Sequence, residues 1–273
     1  MISVIIPTYN SSSTIRRTLE SVFNQTKFSL ITQIIIIDNF SVDETLSICD
    51  GFAAEKGLDA VITIYRVENS GSVAVSRNFG AKMATGKWLA FLDSDDYWYP
   101  AKIELQVCCL NDYSGDFCSG MVLIESQRKN VCWQLKYVYE QKFLEKRLFR
   151  EHGNLVVTST VLIKKDVFDT LGGFVESSDW IGAEDFNLWY RLAERRELRS
   201  IIIPHIVASY SVSEGSLGHV SEATYLPALT QFVDKDYRLN GGYRWLWRRG
   251  ILSSLRSRDV LQLSGMLFRY MRT

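Results

Sequence analysis

The stretch Phe91-Leu92-Asp93-Ser94-Asp95-Asp96 sets three carboxylates directly behind an apolar run. Crowded carboxylates repel one another unless something positive sits among them. Mg²⁺ and Mn²⁺ take oxygen ligands and usually keep a substrate diphosphate in their shell. The pattern therefore points to a divalent cation shared with a phosphorylated substrate; the plain alternative is a solvated acidic turn capping the next helix. A second pair, Glu184-Asp185, follows Trp180-Ile181-Gly182-Ala183 and precedes an apolar helix. Carboxylates there complement a helix dipole, and they can also serve as a general base. Three smaller polar groups complete the set: Pro7-Thr8-Tyr9, Asp38, and Arg77 within Ser76-Arg77-Asn78-Phe79-Gly80.

The elements needed to position these groups are legible as hydrophobic patterns. Ile2–Ile6, closed by Pro7, has the β-branched character of a buried parallel strand. Ser11-Ser12-Ser13 offers N-caps for a helix with Ile15, Leu19, Val22 and Phe23 on one face. Ile34–Ile37 predicts a second strand ending at Asp38. Asp43 is placed to cap a helix holding Leu46, Ile48 and Phe52. Val61–Tyr65 predicts a third strand, Ser70-Gly71-Ser72 opens a helix that Gly86 would close, and Trp88–Leu92 predicts a fourth strand. Farther on, Met121–Ile124, Val156–Ile163 and Ile201–Ile203 read as strands. Asp166–Leu171 reads as a short helix before Gly172-Gly173. The helix begun by Glu184-Asp185 would bury Phe186, Trp189, Tyr190 and Ala193. From about Ser221 the pattern is helical, broken at Gly241-Gly242.

Such alternation implies a mostly parallel central sheet with helices on both faces. Ligands of open α/β sheets sit beyond the carboxyl ends of the strands. Pro7-Thr8-Tyr9, Asp38 and Asp93–Asp96 all fall at such ends, so three clusters distant in sequence should share one rim.

The 273 residues are 47% hydrophobic and 23% charged, enough for a real core, and the formal net charge is zero. Bulk electrostatics thus gives no reason for polyanion binding. Five cysteines without a CxxC pair argue against a disulfide framework or zinc site, and they read as small buried apolar residues. No stretch approaches the roughly 20 apolar residues of a membrane span, and the N-terminus has no basic region ahead of its short apolar run. The expected location is cytoplasmic, or peripheral on the cytoplasmic face of a membrane.

Taken together, Ile5-Ile6-Pro7-Thr8-Tyr9-Asn10, Asp38, Ser76–Gly80, Phe91–Asp96 and Glu184-Asp185 resemble the family 2 glycosyltransferases over about residues 1–215. The resemblance implies a GT-A fold and inverting sugar transfer from a nucleotide-diphospho-sugar, a UDP-sugar first of all. The acceptor would be a hydroxyl of a glycan or lipid-linked molecule, as in cell-surface polysaccharide synthesis. It also implies site roles. Pro7, Thr8 and Tyr9 would line the nucleotide pocket, Asp38 would bond the base, and Arg77 would lie near the nucleotide or its phosphates. Asp93 and Ser94 would serve the donor, with Asp93 at the ribose or supporting the metal. Asp95 would ligate Mg²⁺ or Mn²⁺. Asp185 would be the general base and Glu184 would position the acceptor. The implied organisation is a catalytic domain over 1–220, with a nucleotide part to about 112 and an acceptor part after it, and a helical appendage over 221–273.

Three features depart from the family pattern or extend beyond it. Asp38 is followed by Asn39 and Phe40 where many relatives have a second Asp and a Gly, which leaves the donor's base open. Tyr210-Ser211-Val212-Ser213 has no His where relatives often carry one, and His219 is not expected to replace it. Residues 236–273 hold eight Arg against two Asp, interleaved with Trp245, Trp247 and apolar residues. That composition suits an anionic membrane surface, or packing on the catalytic domain or a second subunit. Nucleic acid is not expected, because no recognised binding module is present. A nucleotidyltransferase is the competing enzyme reading, yet Pro7–Ser13 has neither the Gly nor the basic residue of a triphosphate loop. A non-catalytic nucleotide-sugar binder would have no use for Asp95 and Asp185 together.

Overall fold

The computed structural model describes residues 1–126, 142–146, 148–149 and 154–212. Its first half is a run of parallel strands: β1 (Ile2–Thr8), β2 (Ile31–Asp38), β3 (Ile62–Arg66) and β4 (Trp88–Phe91). Helices α1 (Ile15–Phe23), α2 (Thr45–Lys56) and α3 (Val73–Met83) connect them. The sheet continues through β5 (Tyr97–Trp98), β6 (Phe117–Ser126), β7 (Lys142–Phe143), β8 (Leu162–Lys164) and β9 (Ser200–Val212). Helices α4 (Lys102–Asp112), α5 (Lys165–Thr170) and α6 (Glu184–Glu194) accompany this half. The strand order is β3-β2-β1-β4-β8-β6-β9-β5, with β7 also on β9. β6 and β9 run parallel, while β8 is antiparallel to both β4 and β6.

Side-chain alternation builds a core on each face. Ile5, Ile35 and Ile37 point one way, with residues of α3, α5 and α6; Val4, Ile6, Ile34 and Ile36 point the other, with residues of α1, α2 and α4. Every residue of β1 is buried, as a strand covered on both faces must be.

Pro7 does not close β1 but lies inside it, paired with Ile37. Ile5 and Pro7 direct their backbone groups to the same side, toward β4. There Ile5 accepts from Leu92, but β4 pairs only as far as Ile5. The missing N–H of Pro7 therefore forfeits no ladder bond.

Several other expectations shift. Ser11–Ser13 precede the true N-cap, Thr14, which makes no side-chain cap bond. Ser11 instead ties loops together, its N–H to Thr45 Oγ1 and its hydroxyl to Ser94 Oγ. Asp43 accepts from the Thr45 N–H at the start of α2, whose buried stripe is Thr45, Cys49, Phe52 and Ala53 rather than Leu46 and Ile48. Helix α3 ends at Ala84 without a left-handed glycine. Gly86 serves close approach instead: a Cβ there would lie 2.7 Å from the Ser3 nitrogen. Val156–Ile163 is a 3₁₀ turn, Thr158–Thr160, leading into the short β8. Its hydroxyls bond nearby groups, Thr160 Oγ1 to Val157 O, and compete with an extended chain. Helix α6 is buried on most sides, including Asn187, Leu188 and Leu192, whereas Ala193 is only partly buried. Cys49, Cys109 and Cys118 are buried as expected, but Cys108 is exposed.

Among the described residues no helix is long and apolar enough to cross a membrane. Cys132, Ser213, His219 and the whole segment beyond them, with its expected helices, lie outside the described residues.

Candidate active site

The carboxyl ends of β1, β2 and β4 bring Thr8, Asp38 and the Asp93–Asp96 turn to one rim, as the alternation implied. Thr8 is buried and its Oγ1 has no hydrogen-bond partner among the described residues, while Tyr9 is half exposed. Pro7, just before them, is buried. The Asp38 side chain is fully buried. Its oxygens accept the Ser41 N–H at 3.1 and 3.2 Å and the Arg66 Nε–H at 3.3 Å. Phe40 between them adopts a left-handed backbone (φ 60°) and stands half exposed, with the Arg66 guanidinium 4.5 Å from its ring centroid. Asp38 thus anchors a corner whose outer surface is Phe40 and Arg66.

The acidic turn divides its carboxylates by environment. Asp96 is fully buried, with Oδ2 accepting from Ser159 Oγ at 2.5 Å and Oδ1 from the Ser211 N–H at 2.9 Å. Burial and the Asp93 charge push its carboxyl well above the usual range. Its bonds bind the turn to β9 and to the 3₁₀ turn, so Asp96 is a structural member of the triplet. Ser94 Oγ meets Ser11 Oγ at 2.8 Å. Asp95 has burial and Asp93 against it, and its carboxyl is pushed up to about 6. The ionised form of Asp95 thus costs more here than in water, a cost that a bound cation would relieve.

Arg77, near the middle of α3, is 4% exposed. Its Nη2 donates to both oxygens of Asp93, at 2.7 and 2.9 Å, and its Nη1 to Glu184 Oε1 at 3.0 Å. The other oxygen of Glu184 accepts the Gly182 N–H at 2.8 Å, and Glu184 is buried. Asp185, beside it, is half buried. Its Oδ2 accepts from Asn154 Nδ2 at 2.8 Å and its Oδ1 from the Phe186 N–H at 2.6 Å. Tyr210 lies in the field of Asp96, Asp93, Asp185 and Asp95 together, which with burial holds its phenol protonated well above the ordinary range. The acidic turn and the Glu-Asp pair therefore border one site.

Sequence reasoning passed over four contributors. Arg17 donates to the Asp95 carbonyl at 2.9 Å and to Ser211 Oγ, with its guanidinium 4.7 Å from the Tyr97 ring centroid. Ser159 bridges the Asp93 N–H and the Asp96 carboxyl. Asn154 orients Asp185. Tyr210 opens the run that lacks the family's His, and its phenol is a contributor that the family pattern does not mark. Nothing in the local pattern marks Arg17, Ser159 or Asn154.

A metal fits this donor set. The available groups are hard carboxylate oxygens, and the repulsion raising Asp95 is the kind a divalent cation relieves. Among the described residues no cluster of three His, Cys, Asp or Glu could hold an ion by itself. Such a cation would take most of its shell from diphosphate and water, as Mg²⁺ commonly does.

The model of glycosyl transferase family 2 matches residues 3–172 of the chain. Among curated proteins, the chain is 27% identical over 217 residues to the Escherichia coli UDP-Glc:alpha-D-GlcNAc-diphosphoundecaprenol beta-1,3-glucosyltransferase WfgD, covering 80% of this chain and 79% of that one. Among solved structures, S. aureus TarS 1-349 in complex with UDP-GlcNAc matches with TM-score 0.69 and 16% identity, over 99% of this chain and 91% of that one. The mannosyltransferase PcManGT from Pyrobaculum calidifontis, in complex with GDP-Man and Mn²⁺, matches with TM-score 0.64 and 18% identity, over 98% of this chain and 78% of that one.

Proposed function

Because this chain belongs to glycosyl transferase family 2 and is a glycosyltransferase, we propose that its rim transfers a sugar from a UDP-sugar, with inversion, to a hydroxyl of a glycan or lipid-linked acceptor. The reading is carried by one observation: the acidic turn and the Glu184-Asp185 pair, far apart in sequence, border one site and share the guanidinium of Arg77. The UDP-sugar in TarS and the diphosphoundecaprenol acceptor in the name of WfgD support the choice of substrates.

Pro7, Thr8 and Tyr9 line the nucleotide side, and Asp38, buried and bonded to Ser41 and Arg66, shapes the base end, whose exposed surface is Phe40 and Arg66. Asp93 and Ser94 serve the ribose and diphosphate side. Asp95 would hold Mg²⁺ or Mn²⁺, which when bound supplies Lewis-acid neutralisation of the departing diphosphate; the Mn²⁺ in PcManGT supports this. Asp185 takes the proton of the acceptor hydroxyl as its oxygen bonds to the anomeric carbon. The bond from that carbon to the phosphate oxygen breaks, and its electron pair leaves with the nucleoside diphosphate. A base on the face opposite the leaving group gives inversion.

The test is a panel of UDP- and GDP-sugars scored for metal-dependent turnover and thermal stabilisation. Chelator should abolish turnover and Mg²⁺ or Mn²⁺ restore it. Asp95→Ala should weaken donor binding while staying folded. Full activity of Asp95→Ala in the presence of chelator would overturn the metal assignment. The basic, Trp-containing segment from Gly241 onward is proposed to contact anionic membrane. Its deletion should release the protein from anionic vesicles without loss of donor binding, and an intact protein that ignores such vesicles at low salt would leave subunit packing as its role.

A further inference from the structure

We infer that Arg77 is a positioning residue, which locks the metal-bearing turn to the base-bearing helix, and that its guanidinium is not a ligand of the donor. The inference rests on the reading above, in which Asp95 serves the donor and Asp185 is the base.

A planar guanidinium fixes the angle between the groups it bonds. Here one terminal nitrogen grips both oxygens of Asp93 and the other grips Glu184, across 107 residues of chain. Arg77 is almost wholly buried, with its guanidinium 5.3 Å from the Phe174 ring centroid. The next residue, Asn78, extends the grip: its Oδ1 accepts the Phe174 N–H at 2.9 Å and its Nδ2 donates to the Phe174 carbonyl at 2.8 Å. Helix α3 therefore holds the segment leading to α6 by backbone as well as by charge.

The second strand of argument concerns Glu184. Both of its oxygens are occupied, one by Arg77 and the other by the N–H of Gly182, which takes a left-handed φ of 83° that favours glycine. Glu184 is also buried, and a carboxylate held inside the fold by a buried guanidinium is poorly placed to meet an acceptor. Asp185, one residue on, is the half-buried member of the pair. The division of labour follows: Glu184 is the anchor, Asp185 the working group, and Arg77 sets the spacing between Asp185 and the turn carrying Asp95.

Removing Arg77 outright would strand the buried Glu184 and the partly buried Asp93, so an alanine variant would report on folding as much as on function. The test uses Glu184→Gln, Arg77→Lys and the double variant, assayed with whichever of UDP-glucose, UDP-N-acetylglucosamine or GDP-mannose the wild type turns over. Donor affinity is read by calorimetry, and thermal melting confirms that each protein is folded. Each single variant should keep donor affinity within about threefold, while kcat falls about 10- to 100-fold, the cost of misplacing a reacting group by about an ångström. The double variant should be no worse than the weaker single, because the two residues act as a unit. Multiplicative losses would overturn the inference. So would a loss of donor affinity in Arg77→Lys beside a Glu184→Gln protein of normal kcat. Asp185→Asn separates the inference from its premise. Full turnover there removes the catalytic reading itself, whereas a dead Asp185→Asn protein beside additive clamp variants removes the clamp alone.

Discussion

Asp185 accepts from Asn154 and from the Phe186 N–H, so its orientation is set before any acceptor arrives. Asp185→Asn preserves the shape, and Asn remains an acceptable residue at a helix start. Donor affinity should then stay within a few-fold while turnover falls by about 10²–10⁴, the usual contribution of a general base. A well-folded Asp185→Asn protein with near-normal turnover would strike Asp185 from the mechanism. Asp95 answers to pH. Burial and Asp93 raise its carboxyl to about 6, so below that pH a proton would compete with the proposed cation for the same oxygens. Mn²⁺ affinity, followed by titration, should fall by up to about tenfold per pH unit below 6 and level off above it. An affinity flat from pH 5 to 7 would show that Asp95 is not the ligand.

Elements reach the site only because they approach one another closely. Gly80 lets α3 settle onto β1 and β2; a Cβ there would lie 2.6 Å from Ile5 Cγ2 and 2.8 Å from Ile37 Cδ1. Gly86 is the more demanding case, since its neighbours are the backbone atoms Ser3 N and Ile2 C, and its own N–H donates to Ser3 Oγ at 2.9 Å. Backbone cannot swing aside as a side chain does. Gly86→Ala should therefore cost about 1–3 kcal/mol, the range for overpacking, read as a lower urea midpoint. Unchanged stability would mean that β1 and the α3–β4 connection can separate at no cost.

At the scale of the molecule, a buried charge among the described residues departs from the ordinary rule. Lys102 is fully buried where α4 meets the sheet; its Nζ donates to Gln106 Oε1 at 2.7 Å and stands 4.2 Å from the Trp98 ring centroid. Burial without a carboxylate partner among the described residues pushes its ammonium down to about 7. The unfolded chain keeps that proton up to about pH 10. Between these values the unfolded state binds more protons, so this lysine makes stability rise with pH from about 7 to about 10; below 7 its penalty is full and constant. Lys102→Met removes the dependence, at the smaller and pH-independent cost of leaving Gln106 Oε1 without its donor. The stability difference between variant and wild type should shift by about 2–5 kcal/mol in favour of wild type between pH 7 and 10. A difference that does not move with pH would show that Lys102 does not titrate there.

Much of the first half could be read from the chain alone, because its signals are local. Ile2–Ile6 and Ile34–Ile37 declare buried strands by composition, and a carboxylate directly after a strand lies at its carboxyl end wherever the strand sits. The rim bearing Thr8, Asp38 and Asp93–Asp96 followed from that rule; the Glu184-Asp185 helix start was legible in its own apolar pattern, and the family in the resemblance of the motifs taken together. Boundaries were less legible: Pro7 and Gly86 looked like terminators, and only neighbouring strands reveal that one loses no bond and the other makes room for backbone. Val156–Ile163 looked like a strand because hydroxyls that bond locally do not interrupt an apolar pattern. The division of labour among the carboxylates was wholly tertiary. By type and spacing Asp95 and Asp96 are equals, as are Glu184 and Asp185. Ser159 and Ser211 make Asp96 structural, and Arg77 and the Gly182 N–H make Glu184 an anchor. Local sequence determines which chemical groups stand at a strand end or helix start; which of them stays partly exposed and which is built into the fold is decided by partners that folding brings from far along the chain.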